Sequence, residues 1–219
     1  MGLKLHSLYA LKLCLPVGEV LSLGYPDILV PQDKLESLFG VRVEKTTSFG
    51  GWHGVKFPLP ESVEFFEKLG ARLTCIDIYA SRGCEQIVDL NYPVDVGQYD
   101  LVIDGGTIEH CFHIGQALLN SAGAVKPGGR ILQGNPMNMM NHGFYNLSPT
   151  FLYDFYTQNG WEIEQFYAID REDRVYEVPQ VKRFAAPTET SIFCVAKRIS
   201  DSPLKVPTQS KYLTNPNLS

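Results

Sequence analysis

The sequence predicts an α/β fold built on a mainly parallel β-sheet. Three observations carry this: strand-like and helix-like segments alternate along the chain, the strand-like segments are almost continuously apolar, and several of them end on an acidic residue. Alternation makes right-handed βαβ units, and apolar strands of this kind belong to a sheet covered on both faces. The 219 residues suit one compact domain.

Each element follows from a local pattern. Glu19 to Gly24 reads as a short apolar strand ending at glycine, and Pro31 to Phe39 as a helix with Leu35, Leu38 and Phe39 at helical spacing. Residues 41–60 are glycine-rich around Trp52 and His53, so a loop acting as a lid is expected there. Glu61 to Leu69 is a helix between Pro60 and Gly70. Arg72 to Ile78, Gln86 to Leu90 and Tyr99 to Asp104 are strands carrying Asp77, Asp89 and Asp104 at or near their ends. Ile114, Ala117, Leu118, Ser121, Ala122 and Val125 fall on one helical face, and Lys126-Pro127-Gly128-Gly129 is expected to stop that helix and turn into a strand at Arg130 to Gln133. Ser148 and Pro149 are expected to open a helix as N-cap and first helical residue. Trp161 to Ala168 and Ser191 to Arg198 are the last strands. The domain is thus drawn at 1–199, followed by a polar, proline-containing flexible tail at 200–219.

Composition excludes several classes. Apolar residues make up 44% and charged residues 20%, which rules out a disordered chain. With 19 basic against 24 acidic residues the net charge is -5, so a nucleic-acid partner is not expected. Cys14, Cys75, Cys84, Cys111 and Cys194 are odd in number and lack a C-x-x-C pair, which points to free thiols in a reducing compartment. Lys12 interrupts the apolar start of the chain, so no signal peptide is read there, and no apolar run is long enough to span a bilayer. A cytoplasmic protein, monomeric or homo-oligomeric and without a membrane partner, is expected.

In parallel sheets ligands bind beyond the carboxyl ends of the strands, so Asp77, Asp89 and Asp104 should converge on one crevice. The first turn, Leu23-Gly24-Tyr25-Pro26, has one glycine and a proline without an N–H, which makes it a poor phosphate cradle. A nucleoside without phosphates fits better: Asp77 can accept both ribose hydroxyls, and Asp89 with Leu90 can meet an adenine.

The stretches Tyr99-Asp100-Leu101-Val102-Ile103-Asp104-Gly105-Gly106-Thr107-Ile108-Glu109-His110 and Val125-Lys126-Pro127-Gly128-Gly129 resemble the fourth-strand motif and the turn before strand five of the class I S-adenosylmethionine-dependent methyltransferases. His142 to Pro149 resembles a substrate-side loop in a bacterial branch of that family. The resemblance implies a Rossmann-like, doubly wound sheet with a final antiparallel strand and S-adenosylmethionine as cofactor. By position it puts Gly24 and Tyr25 by the methionine part, Asp77 and Ile78 by ribose and adenine, Asp89 and Leu90 by adenine, and Asp104, Gly105 and Thr107 on the fourth-strand side. The first motif departs from the family pattern, which usually has an acidic residue on strand one and a G-x-G turn.

Methyl transfer to a hydroxyl needs a base, and His is the usual one near neutral pH. His110 is the first candidate and His142 the second, with Glu109 orienting or replacing them. Trp52, His113 and Tyr145 are candidate substrate contacts. The acceptor is expected to be a small hydroxylated molecule, a sugar or secondary metabolite. No H-E-x-x-H or comparable signature is present, so no metal is assigned. A metal-dependent enzyme using His110, His113, His142 and an acidic partner is one alternative. A non-catalytic module that keeps the fold for binding or assembly is another.

Overall fold

The computed structural model describes residues 2–48, 51, 53–179 and 182–214. The strands expected in the first half form at Glu19–Leu23 (β2), Arg72–Asp77 (β6), Gln86–Ile87 (β7) and Tyr99–Asp104 (β8), with β7 shorter than its apolar run. Val125–Pro136 (β9), Glu162–Ile169 (β10), Val175–Glu177 (β11) and Ser191–Lys197 (β12) complete one sheet in the order β11-β10-β12-β9-β8-β2-β6-β7. Chain order runs outward from β2 through β6 to β7, then returns to its other side at β8. That reversal is the topological switch point of a doubly wound sheet. β12 is the last strand and lies antiparallel to β9, as the sequence resemblance implied.

Alternate residues of the strands face opposite sides, so the sheet has two cores. Leu21, Leu23, Val102 and Ile131 pack with Leu118 and Ala122 of Ile114–Gly123 (α4) and with Leu152, Phe155 and Tyr156 of Pro149–Gln158 (α5). On the other side Val20, Leu101, Ile103 and Leu132 pack with Leu8 and Leu11 of Leu5–Cys14 (α1), Leu35 of Gln32–Phe39 (α2), and Phe65 and Phe66 of Ser62–Lys68 (α3). The Glu61 carboxylate caps α3 by accepting from the N–H groups of Val63 and Glu64 at 3.1 and 2.7 Å.

The structure departs from or adds to the sequence reading at four places. Lys126 to Gly129 does not turn between a helix and a strand but lies inside β9: Gly128 N–H donates to Arg198 at 2.7 Å and Arg198 N–H donates to Gly129 at 2.9 Å, which keeps the segment in the sheet. Ser148 precedes α5 without a side-chain capping bond, leaving Pro149 as the start signal. The start of the chain is structured: Gly2–Leu3 (β1) pairs with Asp27–Ile28 (β3) beyond the end of β2, and α1 follows. The segment after Ser200 is tied to α5. The side-chain amides of Asn159 and Gln158 bond the backbone of Lys205 and Thr208, and the Asp154 carboxylate accepts from both the N–H, at 2.9 Å, and the hydroxyl of Ser210 in the short helix Ser210–Thr214 (α6). Polar composition predicted flexibility, but these polar groups find partners across the chain.

In the segment 41–60, Thr46–Thr47 (β4) pairs with Leu59–Pro60 (β5). Phe49, Gly50 and Trp52 lie outside the described residues. No helix among the described residues is long and apolar enough to cross a membrane.

Candidate active site

At the switch point the end of β2 is locked by short polar contacts. Gly24 N–H donates to Ile76 at 2.6 Å, the Ser22 hydroxyl donates to the Gly24 carbonyl at 2.7 Å, and the Thr107 hydroxyl donates to the Leu23 carbonyl at 2.6 Å. Tyr25 is buried, donates its hydroxyl to Glu61 at 2.5 Å and accepts from Ser62 N–H at 3.0 Å. Burial and the Glu61 bond hold its phenol well above its ordinary range. The Arg82 guanidinium lies 5.4 Å from the centre of the Tyr25 ring and pairs with buried Asp27 at 2.6 Å, where His53 Nε2 also approaches to 2.9 Å. The Tyr25 side chain of the first turn is therefore packed among protein side chains.

Asp77, Asp89 and Asp104 stand at or just past the carboxyl ends of β6, β7 and β8. Burial, and then the charges of Asp104, Asp89, Glu109 and Asp77, push the Cys111 thiol up to about 11. Asp77 is half-buried and accepts from Tyr79 N–H at 3.3 Å; next to it Ile78 is 65% exposed. Asp89 accepts from the backbone and side-chain N–H groups of Asn91 at 2.9 and 2.7 Å, beside buried Leu90. Asp104 is fully buried and engaged by protein donors: Thr107 N–H at 2.9 Å, Gln133 at 3.1 Å and Asn135 at 3.0 Å.

Beyond the carboxyl ends of β8, β9 and β10 lies a cavity of about 720 Å³. Gly105, Gly106, Glu109, His110 and His142 line one part of it, and Lys4, His6 and Arg171 line another. Glu109 sits in the single 3-10 turn Ile108–His110 that follows β8, and its side chain is fully buried. Its Oε2 accepts from Asn135 at 3.0 Å, while Oε1 has no hydrogen-bond partner. Burial first, and then the nearby Asp104, push the Glu109 carboxyl up to about 8. His142 Nε2 stands 3.5 Å and His110 Nε2 4.0 Å from Glu109 Oε1, and the two rings are 5.2 Å apart. Burial and the neighbouring His142 lower the His110 pKa.

Sequence reasoning thus named Glu109, His110 and His142, and the fold brings them together. His113 and Tyr145 do not line this cavity: His113 binds Asn91 through its N–H at 2.9 Å and its ring at 3.1 Å, and the Tyr145 hydroxyl donates to the Phe112 carbonyl at 2.8 Å. Lys4, His6, Asp170, Arg171, Asp173 and Glu189 are cavity residues that the sequence reading did not single out. The visible signal for the first two was a pair of polar residues at the head of an apolar segment.

No protein-family model matches the sequence, and no curated protein matches it. Solved structures do. The N-methyltransferase NodS from Bradyrhizobium japonicum WM9, solved in complex with S-adenosyl-L-homocysteine, aligns over 89% of this chain and 85% of its own with a TM-score of 0.53 at 13% identity. The chain has the class I methyltransferase fold. TehB from Haemophilus influenzae aligns over 87% of this chain with a TM-score of 0.52, also at 13% identity, and here the chain spans 60% of the TehB length. Within this methyltransferase fold, Gly105 directly follows the strand-end Asp104 and lines the cavity that holds Glu109, His110 and His142.

Proposed function

We propose that the protein transfers a methyl group from S-adenosylmethionine to a hydroxyl of a small polar molecule held in the cavity. The observation that carries this is the placement of Asp77, Asp89 and Asp104 at or just past the carboxyl ends of β6, β7 and β8, in a sheet whose carboxyl edge also opens on a cavity edged by two half-exposed histidines. The nucleoside half of the cofactor fits: the Asp77 carboxylate suits a ribose diol, and the adjoining Ile78, 65% exposed, offers apolar surface to a purine. NodS, with the same fold, binds S-adenosyl-L-homocysteine.

When bound, the cofactor supplies a sulfonium methyl group, and the electron pair of the breaking C–S bond stays on sulfur as the acceptor oxygen takes the carbon. The protein's part is to align the hydroxyl and remove its proton. His110 and His142 open onto the cavity, with Glu109 behind them, and are the groups positioned to handle that proton. Lys4, His6, Ser7, Asp173 and Glu189 make the wall hydrophilic, which favours a polyhydroxylated acceptor.

Isothermal titration with S-adenosylhomocysteine tests the reading. Binding is expected, and Asp77→Ala should weaken it by about tenfold or more, the worth of a lost charge-assisted hydrogen bond. No heat at high micromolar ligand overturns it. That outcome would favour a non-catalytic module, a reading supported by the first turn, whose Tyr25 side chain packs beside the Arg82 and Asp27 pair.

A further inference from the structure

We propose that Glu109, His110 and His142 form a binding site for one divalent first-row transition cation, open to the cavity. The first observation is an orphaned atom. Glu109 Oε1 is fully buried and has no hydrogen-bond partner, although Oε2 of the same carboxylate is satisfied by Asn135. A buried carboxylate oxygen without a donor is costly, and native proteins rarely leave one so.

The second observation is convergence. One ligand atom each from Glu109, His110 and His142 lie within 4.8 Å of one another. The separations of 3.5 and 4.0 Å from Oε1 to the two Nε2 atoms exceed the roughly 2.7–2.9 Å of a charge-assisted hydrogen bond. Ligands bound at about 2.0–2.2 Å to a shared ion sit roughly 3–3.5 Å apart, so a small rotation of the two half-exposed imidazoles closes the set.

The backbone is shaped for this arrangement. A Cβ on Gly106 would stand 3.1 Å from Glu109 Oε1, so glycine there leaves the space beside the orphaned oxygen open. Gly143 follows His142, and a Cβ on it would meet the Glu109 carbonyl at 2.9 Å and His110 Nδ1 at 3.1 Å. Phe144 and Tyr145 N–H groups then donate to that same carbonyl at 2.9 and 3.2 Å. The His142 loop is thereby pinned onto the Glu109 turn.

Charge and ligand type indicate the class of ion. Asn135 Nδ2 bridges the buried carboxylates of Asp104 and Glu109, and among the described residues no Lys or Arg forms an ion pair with either. A divalent cation would offset the charge of this pair once Glu109 binds it as a carboxylate. Two imidazoles and one carboxylate suit zinc, cobalt, nickel or manganese better than magnesium or calcium. Three protein ligands leave further positions facing the cavity, where an acceptor oxygen would be polarised by the ion. That role rests on the methyl-transfer reading above, with the ion, in place of the then-coordinated His110 and His142, acidifying the acceptor hydroxyl; the binding of the ion does not.

The test uses the full chain treated with EDTA and exchanged into chelator-free buffer. Titration with Co²⁺, followed by its visible d–d absorption and by calorimetry, should show one ion per chain. Glu109→Gln and His142→Gln should each weaken Co²⁺ binding by about tenfold or more, while His113→Gln leaves it unchanged. Melting curves establish that each variant is folded, and His142, being on the surface of the cavity, keeps the test valid if Glu109→Gln is not. Absence of Co²⁺ binding, or binding that both variants leave intact, overturns the proposal. Parallel titration with S-adenosylhomocysteine separates the two readings: nucleoside binding without Co²⁺ binding overturns the cation site alone, and Co²⁺ binding without nucleoside binding supports it while overturning the methyl-transfer reading.

Discussion

Gly143 has no room for a side chain, and this lets the distant His142 loop close against the Glu109 turn. Gly143→Ala drives a methyl into backbone at 2.9 Å and should cost about 1–3 kcal/mol, read as a lowered Tm. His6 makes a different residue-scale prediction. Burial, and then the positive charge of Lys4, lower its pKa to about 4, against about 6.5 in an unfolded chain. Between those values the unfolded state binds more protons than the folded one, so stability is complete above about pH 6.5, falls as pH drops toward 4, and levels off below. His6→Gln should flatten Tm across that window, measured by thermal melts in a pH series. The catalytic candidates were legible because Glu109 and His110 follow directly on a strand end. His6 was not, since nothing local says that an N-terminal helix folds back over the sheet.

At the scale of elements, segments whose patterns are local formed as expected, and those that depend on distant partners did not. α3 carries its own cap at Glu61 and begins and ends where its flanking Pro60 and Gly70 indicate. The Lys126 to Gly129 stretch has turn composition, yet pairing with Arg198 holds it in β9. Arg198 is itself buried and donates from Nη1 to the Val125 carbonyl at 2.7 Å. Arg198→Ala should therefore cost about 1.5–3 kcal/mol, the range for a hydrogen bond to a charged group, measured by urea unfolding. The segment after Ser200 is held to α5 in part by Asp154. Asp154→Ala should free it, with limited proteolysis cutting between 200 and 214 before the sheet domain is touched.

The whole molecule is a sheet buried on both faces, and each face has its own core. Phe66 is fully buried in the core that α1, α2 and α3 cover. Phe66→Ala should destabilise the protein by about 3–5 kcal/mol, seen as a lower urea midpoint with an unchanged slope. The cavity opens beside the core that α1 covers, whose Leu132 and Phe193 reach its wall. The N-terminal β1 and α1 supply Gly2, Lys4, His6 and Ser7 to its wall, so the site is assembled from both ends of the chain order and not from the central motifs alone.

The sequence by itself determined the α/β class, most strand and helix positions, the acidic strand ends and the Glu109, His110 and His142 candidates, because each is written in short-range periodicity or in a motif beside a strand. Only the tertiary structure decided that the Tyr25 side chain of the first turn packs beside the Arg82 and Asp27 pair, that His113 and Tyr145 lie off the cavity, and that the polar segment after Ser200 is docked. Those outcomes depend on contacts between residues tens of positions apart: Arg82 with Asp27, Ser210 with Asp154 and Gly2 with Asp27 are set by the packing of elements on the sheet, which no local window records.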